Sequence, residues 1–129
     1  MSRESARDTQ AHAWADRQGE EWLIGITDYA ADSMGDIIYV ELPEVGAEVS
    51  AGAAYGTIES AKAVEDLIAP LSGTVVRVNE ELEAVPETLN EDPYEAGWIA
   101  ALRVTGDPDL SGTMDAAEYA AYLASLQQE

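Results

Sequence analysis

The sequence predicts a single, mainly β domain with one short internal helix and one terminal helix, on three observations. Apolar residues alternate with polar or small ones in short runs, such as Trp22, Ile24 and Ile26 or Trp98, Ala100, Leu102 and Val104, which is the period of a strand with one buried face. Those runs are bounded by Gly- and Pro-containing turns. A chain of 129 residues with 47% apolar content has material for one sizeable core.

Taken in order, residues 1–11 carry Arg3, Glu4, Arg7 and Asp8 without periodicity and read as a flexible, acidic tail before a domain spanning 12–129. The tail is too short and too acidic for a transit peptide. His12-Ala13-Trp14 begins a first strand, and residues 21–26 form the second. Thr27 is suited to cap a helix over 28–34 that Gly35 ends. Residues 37–42 form the next strand, and 43–46 a turn. Gly35-Asp36-Ile37-Ile38-Tyr39-Val40 is echoed by Gly73-Thr74-Val75-Val76-Arg77-Val78, which suggests two similar sheet halves with a hairpin between them. Residues 80–92 are acid-rich with little periodicity and read as a loop with a partial turn. The alternation from Trp98 to Val104 is a closing strand. Asp115 and Glu118 fit a capping box for a helix over 115–127, with Tyr119, Tyr122, Leu123 and Leu126 as its apolar stripe.

Composition excludes several function classes. A formal net charge of −20 repels nucleic acid and anionic membranes and favours cationic partners. With nearly half the residues apolar, that charge is a surface property and not a sign of disorder. Loss of almost every lysine with retention of acids is also the form that adaptation to high salt takes, where screening relieves self-repulsion. The chain has no cysteine, so it has no disulfide and no thiol chemistry, in keeping with a reducing cytoplasm. No apolar run is long enough to span a membrane, and a soluble, cytoplasmic protein is expected. One histidine, His12, leaves no second imidazole for a metal site or a triad, and beside Trp14 it reads as a hydrogen-bonded structural residue. The chain carries no catalytic machinery of its own that can be read from sequence.

The exception to blandness is Lys62, the sole lysine beside five arginines. Charge alone could have come from arginine, so a lone lysine points to a need for a primary amine. Tyr55, Thr57 and Ile58 before it and Val64, Leu67 and Ile68 after it are β-formers. Ser60, Ala61 and Ala63 are small and suit a reversal that lifts Lys62 into solvent. A protruding amine with small neighbours suits covalent attachment of a carrier arm.

Glu59-Ser60-Ala61-Lys62-Ala63, followed by Asp66-Leu67, Ala69-Pro70 and Ser72-Gly73, resembles the lipoyl-lysine hairpin of the glycine cleavage system H proteins. The resemblance extends to His12 and Trp14, Gly25 to Ala30, Gly35-Asp36-Ile37, Glu41 to Gly46, Pro93-Tyr94 and Gly97-Trp98. Biotin carriers resemble Met-Lys-Met at this point and the lipoyl domains of 2-oxoacid dehydrogenases Asp-Lys-Ala, whereas Ser-Ala-Lys-Ala is close to the H-protein pattern Ser-Val-Lys-Ala. Two departures stand out: Ala61, and Ala13 where the family has Glu between the His and Trp.

The resemblance implies a flattened antiparallel barrel-sandwich hybrid of the lipoyl/biotinyl-carrier type, with lipoic acid in amide linkage to Lys62. It implies a non-catalytic carrier that shuttles the aminomethyl group of glycine from the pyridoxal-phosphate-dependent glycine decarboxylase to the tetrahydrofolate-dependent aminomethyltransferase. Dihydrolipoyl dehydrogenase then reoxidises the arm, and a lipoate ligase or lipoyl/octanoyl transferase attaches it. Asp66 is expected to contact the arm in a cleft, and Glu59 to mark the hairpin for the attaching enzyme. Glu65 reads as solvation of the hairpin, and Gly56 and Gly73 as backbone geometry. Two alternatives remain at this level. One is an H-like relay of lipoate to other complexes. The other is an acidic calcium-binding module, because Asp107, Asp109, Ser111, Gly112, Asp115 and Glu118 have the spacing of a twelve-residue calcium loop. Such loops are held between two helices, and the residues before Asp107 read as a strand.

Overall fold

The computed structural model describes residues 7–9, 12–104, 113–114 and 116–126. In chain order its strands are β1 (Arg7–Asp8), β2 (Ala13–Gln18), β3 (Glu21–Ile26), β4 (Ile37–Glu41), β5 (Glu48–Val49), β6 (Ala54–Ser60), β7 (Val64–Ile68), β8 (Gly73–Val78) and β9 (Ala100–Arg103). Its helices are α1 (Asp28–Met34), α2 (Glu81–Ala84), α3 (Thr88–Glu91) and α4 (Ala116–Leu126). The strands make a six-stranded sheet in the order β1-β2-β3-β9-β8-β5 and a three-stranded sheet in the order β4-β6-β7, antiparallel throughout. Mainly β, antiparallel and built as two sheets, the architecture is the one the sequence predicts.

The alternation in β3 buries Trp22, Ile24 and Ile26 against a core that also takes Ile37, Ile58, Leu67, Val75, Leu82, Leu89 and Leu102. Each such side chain contributes about 1.5–3 kcal/mol on burial. β2 lies on β3 with Trp14 opposite Gly25. A Cβ at Gly25 would stand 2.7 Å from Trp14 Nε1, so only glycine lets this fully buried indole lie across the strand. Its Nε1–H donates to the carbonyl of Pro93 at 3.0 Å, which ties the first hairpin to the segment before β9. α1 spans the residues expected, with Thr27 Oγ1 accepting from the Ala30 N–H at its start and Gly35, at φ 77°, at its end.

Four expectations are corrected. Strand pairing occurs before residue 12: Arg7 and Asp8 pair with Ala15 and Trp14, and Asp8 exchanges two backbone hydrogen bonds with Met114. A two-residue strand has no period to read. Residues 80–92 are two single-turn helices, each plugged into the core by one leucine, Leu82 or Leu89, too few positions to show a helical face. The closing strand does not alternate, because β9 runs between β3 and β8 and buries Ala100, Ala101 and Leu102 alike. Finally, the echoed segments fall in different sheets as β4 and β8, but those sheets are unequal and the lysine hairpin belongs wholly to the smaller one. The terminal helix is present, with Tyr119 buried and Tyr122 and Leu123 half-buried; Asp115 lies outside the described residues.

Candidate functional site

β6 and β7 form the hairpin that presents Lys62. Glu59 pairs with Val64, and the Ser60 N–H donates to the Ala63 carbonyl at 2.9 Å, closing a two-residue loop of Ala61 and Lys62. Ser60 is buried and its Oγ accepts from the N–H groups of Lys62 at 3.3 Å and Ala63 at 3.2 Å. One inward-facing hydroxyl thus satisfies the backbone of an exposed loop, which fixes the base of the lysine while its side chain stands in solvent. The stem leans toward the end of α1: a Cβ on Gly35 would lie 3.4 Å from Lys62 Cε.

Beside the hairpin is a cavity of about 240 Å³. Its walls are His12 just before β2, Ala13 and Ile26 from the larger sheet, Ala30, Ser33 and Met34 from α1, and Ile58, Ala63 and residues 65–68 from the hairpin. Register explains a part that sequence reading missed. Glu65 lies opposite Ile58, whose side chain is buried inward, so Glu65 shares that face and reaches the cavity. Asp66 lines the same cavity, and the lining holds no lysine or arginine. Glu59 is not among the lining residues; it lies on the outer face of β6, opposite Tyr39 and Val64. Ala13 is buried in the cavity wall and brings no charge there.

His12 holds the cavity's far wall. Its backbone has φ 62°, uncommon outside glycine. Nδ1 is 2.8 Å from Tyr119 Oη, which is in turn 2.7 Å from Thr27 Oγ1. The ring packs on Tyr29 at 4.5 Å between centroids and on Tyr119 and Tyr122 at about 6 Å. Burial lowers its pKa below the ordinary 6.5, so at neutral pH the ring brings no positive charge to the cavity wall. The histidine is therefore a hydrogen-bonded structural residue, as its neighbours in sequence suggest, and it also joins α4 to the cavity wall.

Gly56 answers to geometry, since a Cβ there would collide with the Glu41 carbonyl oxygen. Of the calcium-loop residues, Asp107, Asp109, Ser111, Gly112 and Asp115 lie outside the described residues, and Glu118 is exposed on α4. The element before that segment is β9, a strand where a calcium loop has a helix. Among the described residues no group of three or more His, Asp or Glu side chains is placed to hold a metal ion.

An exposed lysine on a pinned two-residue loop, above an apolar cavity with two carboxylates, is the geometry of a swinging-arm carrier. Comparison with known proteins agrees: the family model of the glycine cleavage H-protein matches residues 6–126. The chain belongs to that family. It is 48% identical over 120 residues to the glycine cleavage system H protein of Anaeromyxobacter sp. (strain K), covering 93% of this chain and 94% of the relative. It is 52% identical over 102 residues to that of Rubrobacter xylanophilus, covering 79% and 81%. The crystal structure of the H protein from Mycobacterium marinum superposes with a TM-score of 0.85 at 38% identity, over 94% of this chain and 98% of that one. Members of this H-protein family carry lipoate and are the carrier subunit of the glycine cleavage system. No helix among the described residues is long and apolar enough to cross a membrane.

Proposed function

We propose that Lys62 bears the lipoyl group and that the chain, without catalysing a step itself, carries the aminomethyl group of glycine between enzymes in the cytoplasm. Its partners are then glycine decarboxylase, the tetrahydrofolate-dependent aminomethyltransferase and dihydrolipoyl dehydrogenase, with a lipoate ligase or transferase attaching the arm. The observation that carries this reading is the position of the chain's one lysine, exposed at the tip of a loop pinned by Ser60 and beside a cavity it can reach.

The residues present fit such an arm. Ile26, Met34, Ile58, Leu67 and Ile68 supply an apolar wall for a hydrocarbon chain. Glu65 and Asp66 supply negative charge for a cationic end, with no competing cation in the lining. When bound, lipoate supplies the disulfide that accepts the aminomethyl group and the dithiol that is reoxidised. The protein's part is to hold the lysine clear of its neighbours, offer the arm a cavity that excludes water, and aim two carboxylates at its charged end. Glu65 compensates for Ala13, which leaves the opposite wall uncharged. Glu59, on the outer face, is placed for the attaching enzyme and not for the arm.

The test is the intact mass of the protein after incubation with lipoate, ATP and a lipoate ligase. One lipoyl addition is expected, with complete loss in Lys62→Arg, which keeps the charge and removes the amine nucleophile. No addition to the folded, unsubstituted chain, while a control lipoyl domain is modified in parallel, overturns the proposal.

A further inference from the structure

We propose that the outer face of the three-stranded sheet, centred on Tyr39 and Val64, is the surface on which the lipoate-attaching enzyme docks; this rests on Lys62 being the attachment site. Among the described residues the large apolar side chains left exposed are Ile38, Tyr39, Val45, Val64 and Val85. Three of the five lie on this small sheet, at 58%, 47% and 64% exposure for Ile38, Tyr39 and Val64. Isolated exposed residues of this kind need no explanation, but Tyr39 and Val64 are aligned. Tyr39 is opposite Glu59, and Glu59 opposite Val64, so the three form one row across β4, β6 and β7. With strands about 4.8 Å apart, the row is roughly 10 Å wide. It is the last row before the loop that carries Lys62. Next on the same face are Glu41 and Thr57, with Thr57 Oγ1 donating to Glu41 Oε2 at 3.3 Å. The face therefore offers an apolar pair split by one carboxylate and backed by another.

Reach decides the occupant. Amide formation joins Lys62 Nζ to the carbonyl carbon of a lipoyl-adenylate; the carbonyl–phosphate C–O bond breaks, AMP leaves with that electron pair, and the amine's proton passes to solvent. Nζ is only four methylenes from its backbone, so the enzyme holding that carbonyl has to press against the strands next to the loop. Enzymes that act on the finished arm meet it at the end of a much longer tether and do not need this face. The inner face of the same sheet is already used, by the core residues Val40, Ile58 and Leu67 and by the cavity. The occupant that matches in chemistry is an enzyme surface with apolar side chains interleaved with arginine or lysine, drawn to a chain of net charge −20.

The experiment is the rate of lipoyl addition by purified lipoate ligase, with lipoate and ATP, against the concentration of the full chain. It compares wild type, Tyr39→Ser, Val64→Ser, their combination, and Val45→Ser as an exposed apolar control off the sheet. The expected result is a KM raised about tenfold or more in the double variant with kcat within about twofold, the control unchanged, and a wild-type KM that rises with added salt. Far-UV circular dichroism and thermal melting establish that the variants are folded, as these exposed positions allow. A double-variant KM within twofold of wild type overturns the proposal. Normal lipoylation combined with failed exchange with the aminomethyltransferase also overturns it, by giving the face to a different enzyme. No addition to the unsubstituted chain overturns the Lys62 assignment and this proposal with it.

Discussion

β9 and β7 are both short antiparallel strands of similar length, and they live in opposite surroundings. β9 has a neighbour on each side and buries Ala100, Ala101 and Leu102 in succession. β7 is an edge strand in which Val64, Glu65 and Asp66 are all exposed, and only Leu67 is fully inward. The larger sheet is thus a support whose residues are fixed by packing. The smaller one is a presentation surface whose sequence answers to what it must meet. Ile58 and Leu67 are the hairpin's fully buried apolar anchors in the core, and one hydroxyl, that of Ser60, holds its loop.

The contrast can be broken most severely at Trp14. Trp14→Ala in the support removes a fully buried ring and its bond to Pro93, and should cost about 3–5 kcal/mol in denaturant unfolding. Val64→Ala on the presentation surface should stay within about 0.5 kcal/mol in the same assay. Comparable losses at the two sites would erase the distinction. A smaller effect sharpens it at the loop: Ser60→Ala leaves two backbone N–H groups without their acceptor and should cost about 1 kcal/mol, read with faster amide exchange at Lys62 and Ala63. Unchanged exchange there would mean that the hydroxyl is not what pins the lysine.

The subtlest effect lies on the acid side. Burial keeps the pKa of His12 below 6.5 in the folded chain, while the unfolded chain titrates near 6.5. In that window the unfolded state binds more protons, so this group's contribution to stability is intact above about pH 6.5 and is lost as pH falls below it. Protonation of carboxylates on a chain of charge −20 acts in the opposite sense by easing repulsion. The readout is therefore the difference between wild type and His12→Asn, a residue that tolerates φ 62°, in melting temperature from pH 7 to pH 5. His12→Asn should lose less on acidification; parallel curves would remove the histidine from the account.

What sequence could and could not convey follows from the same physics. α1 is legible to the residue because its ends are written in local chemistry, a threonine cap and a glycine stop. Lys62 is legible because composition isolates it and small residues surround it. Asp8 is not, because one of its two pairing partners, Met114, lies far along the chain. Glu65 reads as a solvated charge until the β6–β7 register sets it opposite Ile58 and turns it to the cavity. His12 is legible as structural, but the network through Tyr119 to Thr27 depends on α4 returning to the first hairpin, which no local pattern encodes.

The closeness of Lys62 to Gly35 has a consequence for binding strength. Gly35 ends the helix that supplies Ala30, Ser33 and Met34 to the cavity, so Lys62, the root of the proposed arm, and one wall of the cavity are close neighbours. A group tethered so near its own pocket experiences an effective concentration on the order of millimolar. An intrinsic affinity of only about 1 mM, roughly −4 kcal/mol, then suffices to keep the pocket filled about half the time. On the proposed reading, a cavity of that modest affinity shelters its guest and still gives it up each time an enzyme arrives.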